Sequence, residues 1–230
     1  MNHDHLARPE RVVRECGVTP YYKHGGIVIY HGDCREMLPS LKADAVVTDP
    51  PYGINCANHG HAVIERLGGI FGDDQEFDPC PFLSIGVQHI FWGANHFANK
   101  LANESRWLMW LKHGEGLLDK RDHASFELAW TDLGGSCRAF RFIWDGSIKQ
   151  GRSFGTHHIH PAEKPVELLK WCCSMIDGTC ILDPFMGSGT TLVAAKDLGH
   201  SAIGIEIEER YCEIAARRLS QGVFAFTDPS

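Results

Sequence analysis

Thr179-Cys180-Ile181-Leu182-Asp183-Pro184-Phe185-Met186-Gly187-Ser188-Gly189-Thr190-Thr191 is the stretch whose reading decides the fold. Its first part, 179–182, is a short apolar run, which reads as a buried strand. A turn containing Pro184, Gly187 and Gly189 follows, and 190–198 then reads as a helix closed by Gly199. A strand entering a glycine turn that opens a helix is the repeating unit of a parallel sheet. The pattern continues downstream with a strand at 202–207 and a helix at 208–219. Just upstream, Pro165 is expected at the first position of a helix carrying Val166, Leu168, Leu169, Cys172, Cys173 and Ile176.

The first half of the chain repeats the alternation. A strand at 27–30 precedes a helix with Met37, Leu38 and Leu41, and a strand at 45–48 ends at Asp49. Further strands are expected at 89–92, 107–111, 126–130 and 139–144. Continuous apolar strands between helices imply an α/β fold, a mostly parallel, doubly wound sheet covered on both faces. Ligands of such sheets sit beyond the carboxyl ends of the strands.

With 230 residues, 43% of them hydrophobic and 22% charged, the chain is expected to form a single domain over 1–230. No apolar run approaches the ~18 residues of a membrane span, and residues 1–14 are polar, so no membrane partner and a cytoplasmic location are expected. The nine cysteines show no C-x-x-C pair or framework spacing and are expected as thiols. Cys56, His59 and His61 lack a partner cluster of zinc-like spacing, so no metal is expected. The Gly- and Asp-rich segment 53–79 has no sustained periodicity and reads as a long mobile loop.

Two constellations carry chemistry. In the first, the turn after Asp183 presents glycines and a helix start to a ligand, and Glu206 ends the next strand at a distance suited to ribose hydroxyls. No Gly-Lys-Thr or Gly-Lys-Ser is present for a phosphate loop, and the third glycine of a dinucleotide fingerprint is missing, since Ala194 and Ala195 follow. The second is Asp49-Pro50-Pro51-Tyr52. Two prolines stiffen the backbone, fixing the Asp49 carboxylate, the Pro50 carbonyl and the Tyr52 ring relative to one another. Two acceptors and an aromatic face suit a planar base with an amino group.

The Asp49–Tyr52 tetrapeptide and the Asp183–Thr191 motif together resemble the amino-group DNA methyltransferases. Two further matches are His160-Pro161-Ala162-Glu163-Lys164-Pro165 and Gly32-Asp33-Cys34. The catalytic motif precedes the cofactor motif, which is the order of that family's β group. The resemblance runs from about Ile27 to Leu219. Between these motifs, 91–95, 107–110 and 127–131 resemble small phage or prophage adenine methyltransferases. Read in a circularly permuted order, from Pro165 to Ser230 and on from Ile27, the strands form a series of seven, the number of the methyltransferase sheet. The resemblance implies that the last, 126–130, is reversed.

The resemblance also implies S-adenosylmethionine as cofactor and DNA as partner, with transfer of a methyl group to the exocyclic amine of a flipped-out base. Asp49, Pro50, Pro51 and Tyr52 are the implied catalytic residues, with Tyr52 as the stacking platform. Glu206 is assigned to the ribose and Asp33 to the neighbourhood of the cofactor's adenine. Pro184, Phe185, Gly187 and Gly189 line the turn. Asp183, Thr190, His160 and Lys164 are placed near the methionine portion, and Asp49 is counted among the cofactor-binding residues as well. Aspartate at the first position of the tetrapeptide usually accompanies adenine N6 in this family. Cytosine N4, an RNA or protein amine, and a non-catalytic DNA-binding or cofactor-sensing protein are the alternatives.

The net charge of −7 has the wrong sign for indiscriminate nucleic-acid binding, so DNA contact must be local. Arg138, Arg141, Lys149 and Arg152 form the best candidate patch, within a stretch 112–158 expected to carry the recognition insertions. Lys149 and Arg152, in a loop, are the safer pair.

Overall fold

The computed structural model describes residues 18–55, 69–103, 106–113, 124–145, 148–151, 160 and 162–221. The strands are β1 (Tyr22–His24), β2 (Ile27–His31), β3 (Ala45–Thr48), β4 (Gln88–Trp92), β5 (Trp107–Leu111), β6 (Phe126–Thr131), β7 (Arg138–Arg141), β8 (Trp144–Asp145), β9 (Ile148–Lys149), β10 (Cys180–Asp183) and β11 (Ser201–Glu206). The α-helices are α1 (Cys34–Met37), α2 (Cys80–Leu83), α3 (Val166–Cys173), α4 (Thr190–Asp197) and α5 (Glu209–Ser220). One sheet takes all strands but two, in the order β1-β2-β11-β10-β3-β4-β6-β5-β7, and β8 and β9 form a separate antiparallel pair.

From β2 to β4 the sheet is parallel, and β6 runs against both its neighbours, β4 and β5. The permuted series of strands and its reversed last member are therefore present. The sheet has nine strands rather than the expected seven, because β1 extends one edge and β7 the other. The expected strand 139–144 is also divided. Arg138–Arg141 joins the sheet edge, while Trp144 turns into the separate hairpin. Pro165 holds extended backbone, φ −67° and ψ 144°, and so caps α3 from outside instead of occupying its first turn. A proline N–H is missing in either place, so the residue type alone does not separate them.

β3, β10 and β11 are buried at every residue, as strands covered on both faces must be. Successive side chains divide between two cores. Ile27 and Ile29 pack with Leu168, Cys172, Ala194 and Cys212 of α3, α4 and α5. Val28 and Tyr30 pack on the other face with Met37, Phe82 and Phe97. The described cysteines are thiols, and no described helix is long and apolar enough to cross a membrane.

The chain passes from β10 to β11 on one side, whereas β3 lies on the other, so the strand order reverses between β10 and β3. Thr48 at the end of β3 donates its hydroxyl to Asp183 at the end of β10 (2.7 Å), closing that junction in the interior. The ends of β2, β3, β10 and β11 thus face the same side, with Asp33, Asp49, Asp183 and Glu206 at or just past them.

Gly189, the N-cap of α4, has φ +79°, and a Cβ there would lie 2.6 Å from the Cβ of Ala215 on α5. Its conformation and its contact both exclude a side chain. Gly189→Ala is expected to destabilise the protein by about 1–3 kcal/mol, read from the midpoint of urea unfolding.

Candidate functional site

Beyond the carboxyl ends of β2, β3 and β11 lies a cavity of about 800 Å³. Phe77, Phe82 and Phe185 form an apolar wall, their rings 5.2–5.7 Å apart. Asp33, Asp49 and Glu206 place carboxylates on the same cavity.

Asp49 follows β3, and the Pro50–Pro51 pair carries the chain to Tyr52. Asp73 clamps the turn. Its carboxylate accepts the backbone N–H groups of Tyr52 (3.1 Å), Gly53 (3.0 Å) and Ile54 (3.4 Å). The described ends of the expected mobile loop, 53–55 and 69–79, are therefore part of the site, and Phe77 is buried in the core. An aspartate in a Gly-Asp-rich loop gives no sequence sign of this role, because its partners are backbone groups about twenty residues away.

The Tyr52 hydroxyl donates to Asp49. A Cβ at Gly93 would lie 1.9 Å from the Tyr52 ring, so only glycine leaves room for it. The ring lies parallel to His96, with centroids 5.0 Å apart. Tyr52 therefore differs from the open stacking platform expected from its motif, since one neighbour already stacks on it.

The Lys164 ammonium donates to Asp49 and lies 3.2 Å from Glu127. Its side chain is only 7% exposed and sits 5.8 Å from the Trp92 ring centre. Lys112 caps the far side of Glu127 at 2.8 Å. Burial would raise the Glu127 carboxyl, but Lys164 and Lys112 outweigh it and hold the group at about 2. Burial pushes Asp49 up, and Lys164 pulls it only partly back because Glu127 adds to the rise. Burial alone would lower Lys164, yet the two carboxylates together raise it, so it stays an ammonium. Lys164, expected near the methionine portion of a cofactor, is thus placed on the carboxylate of the other motif. Glu127 and Lys112 were not anticipated, because the Glu127 strand reads as ordinary sheet and Lys112 begins the stretch expected to carry recognition insertions.

The glycine turn divides its tasks. Gly187 donates its N–H to Glu206 (3.0 Å), whose other oxygen accepts from the N–H of Glu208 (2.8 Å). A Cβ at Gly187 would meet the His160 ring at 2.9 Å. Gly189 packs on α5, and Thr190 accepts from Arg218 (3.2 Å), so neither lines the cavity. Asp183 also lies behind the wall. Burial lifts its carboxyl to about 6, against hydrogen bonds from Thr191, Thr48 and the Phe185 N–H. Pro184, Phe185, His160, Asp33 and Glu206 do line the cavity. Asp33 is partly occupied, since it caps α1 and pairs with Arg35 at 2.5 Å. The His160 Nδ1 accepts the N–H of Ala162 (3.1 Å), so its Nε2 carries the proton. Burial holds this ring down at about 4, neutral at ordinary pH.

Arg138 and Arg141 are exposed on the edge strand β7, with Arg141 donating to the His113 carbonyl at 3.3 Å. The side chain of Lys149, and Arg152, Cys56, His59 and His61, lie outside the described residues. Within 112–158, β6 is an interior strand of the sheet, so that part is scaffold rather than insertion. Among the described residues, no group of three or more His, Cys, Asp or Glu side chains is placed to hold a metal.

Residues 136–217 match the family model described as DNA methylase. The chain is 27% identical to Type II methyltransferase M.ScaI of Streptomyces caespitosus, over 87% of this chain and 83% of that protein. Among solved structures, the M1.HpyAVI–SAM complex matches with a TM-score of 0.52 and 22% identity, covering 84% of this chain and 99% of the other. The cytosine-N4-specific PvuII DNA methyltransferase matches with a TM-score of 0.58 and 17% identity, over 93% and 92% of the two chains.

Removing the shared cation should expose the cost of the carboxylates it holds. Lys164→Met is expected to destabilise the protein on the order of 3 kcal/mol at pH 7. The sign of its pH dependence follows from Glu127. A carboxyl held below its unfolded value of about 4.3 stabilises the fold above that pH and loses the contribution as pH falls through about 2. The difference between the variant and the parent should therefore shrink over that window, which urea unfolding across pH would measure.

Proposed function

We infer that this chain, by motif order, fold and relatives one of the S-adenosylmethionine-dependent amino-group DNA methyltransferases, acts on the N6 amino group of adenine. The observation that carries this reading is the Asp49 carboxylate, held by Tyr52 and Lys164 at the end of β3 and next to the Pro50 carbonyl. An aspartate at this position supports adenine over cytosine N4 through the family resemblance.

The residues around the cavity fit the cofactor. Its volume of about 800 Å³ lies within the usual range of ligand sites, and its apolar aromatic wall suits an adenine ring. Glu206 uses one acceptor position on each oxygen for backbone N–H groups, and a carboxylate has about four. The remainder serve ribose hydroxyls. The neutral His160, with its proton on Nε2, suits donation to a carboxylate of the methionine portion. Asp183 and Thr190 support the turn from behind.

S-adenosylmethionine supplies an electrophilic methyl group on a sulfonium. The adenine amine is a poor nucleophile because its lone pair is delocalised into the ring. Asp49 and the Pro50 carbonyl accept its N–H groups and favour a more tetrahedral nitrogen, with the lone pair aimed along the line of transfer. Once the methyl group were transferred, the amine nitrogen would be cationic and would have a proton to give up. Asp49 is the acceptor beside it, and a carboxylate raised by burial is a better base than an ordinary one. The base leaves the duplex to reach Asp49 and the Pro50 carbonyl, beside the Tyr52 ring, whose place is set by Gly93 and His96. Arg138 and Arg141 contribute to the DNA-binding face at the sheet edge, together with Lys149 of β9 and with Arg152.

Incubation with unmethylated genomic DNA and methyl-labelled cofactor, followed by nucleoside chromatography, is expected to yield N6-methyladenine. Label found only in N4-methylcytosine, in RNA or in protein would overturn the reading. Asp49→Ala should abolish transfer while calorimetry still detects cofactor binding. Glu206→Ala should instead weaken cofactor binding by about 1–3 kcal/mol. Replacing both Arg138 and Arg141 by alanine should reduce the slope of log DNA affinity against log salt by about one to two units, with cofactor affinity unchanged.

A further inference from the structure

Asp49 faces four groups that carry or can carry charge. The Tyr52 hydroxyl comes from its own turn and Lys164 from the segment entering α3. Glu127 comes from β6, and Asp183 from the end of β10. Only one of these four is a cation, and it is not Asp49's alone. Lys164 reaches Asp49 with one hydrogen bond and stands 3.2 Å from Glu127, which is itself fastened from the far side by Lys112 at 2.8 Å. Glu127 does not line the cavity.

An undivided ammonium on Asp49 would work against the reaction. A fully paired carboxylate is a weaker hydrogen-bond acceptor and a weaker base, and the base amine needs both properties. A carboxylate on the opposite side of the ammonium spreads the positive charge over two anions. We propose that Glu127 is a positioning residue for methyl transfer, sharing Lys164 with Asp49 so that Asp49 is held in place without being neutralised as an acceptor. Lys112 completes the arrangement by keeping Glu127 ionised. Lys164 then orients Asp49, and Glu127 sets how much of its acceptor strength remains. The direction of the Coulomb effect agrees, since the Glu127 charge raises the Asp49 carboxyl.

The proposal rests on Asp49 being the acceptor for the amine, and its test separates the two claims. Glu127→Gln keeps the shape and removes the charge. In protein carrying 13C-labelled aspartate carboxyls, the Asp49 titration, assigned with Asp49→Asn, should move to lower pH in Glu127→Gln. This measurement requires neither DNA nor turnover. In single-turnover methylation of unmethylated genomic DNA, the acidic limb of the rate profile should shift the same way. The plateau rate should fall roughly tenfold, while the calorimetric cofactor affinity stays the same. Glu127→Asp, which restores the charge, should recover the position of the acidic limb, and it serves as the comparison if Glu127→Gln folds poorly. A purely structural role would lower the unfolding midpoint and leave both titrations in place. An Asp49 titration unmoved in Glu127→Gln, or moved upward, overturns the proposal. A titration that moves as expected, in a protein that methylates no DNA, would overturn the proposed function and leave the charge sharing standing.

Discussion

One buried ammonium holds together parts of the chain that are far apart in sequence. Lys164 joins the turn after β3, the reversed strand β6 and the entry to α3 through Asp49 and Glu127. Taking an ammonium out of water costs several kcal/mol, and that cost is offset only where opposite charges and hydrogen bonds are already in position. Two carboxylates, with Trp92 beside the ammonium, provide that setting. The consequence is geometric as much as energetic. Asp49 cannot shift independently of β6 or of the segment before α3, so its place relative to the cavity is set by the sheet.

The same logic of shared anchors runs along the strand ends. Thr48 and Asp183 tie β3 to β10 where the strand order reverses, and Glu206 ties the glycine turn to the start of α5. Behind the cavity wall, Asp183, Gly189 and Thr190 are taken up by protein contacts, whereas Phe185, Glu206 and His160 face the space itself. A motif read as one ligand-binding unit thus divides into residues that build the wall and residues that face inward. Asp73 plays a comparable supporting part for the catalytic turn, since three successive N–H groups that the prolines leave without strand partners converge on its carboxylate.

The aromatic side of the site shows how a side chain's surroundings change its use. Tyr52 is oriented by its hydroxyl on Asp49, by the space that Gly93 leaves, and by the parallel ring of His96. Nothing in a four-residue motif specifies that the ring will be packed before a base arrives. Gly93 lies at the end of β4 and His96 in the turn after it, so the sheet register brings them to Tyr52.

What the sequence determined by itself was local and periodic. The apolar runs at 27–30, 45–48 and 202–207 could be buried only between two layers of helices. The permuted motif order then arranged those strands around Asp49 and Glu206. The glycine turn after Asp183 and the stiff Pro50–Pro51 pair were legible because backbone restriction is written in residue type. Tertiary structure alone decided the edge strands β1 and β7, because edge pairing depends on which backbone lies alongside. It alone divided 139–144 between the sheet and a hairpin. It also decided that Lys164 serves Asp49, that Glu127 faces Lys164, and that Asp73 clamps the turn. Each of these contacts spans at least about twenty residues of sequence, and a charged side chain's partner is fixed by which distant groups share its low-dielectric space.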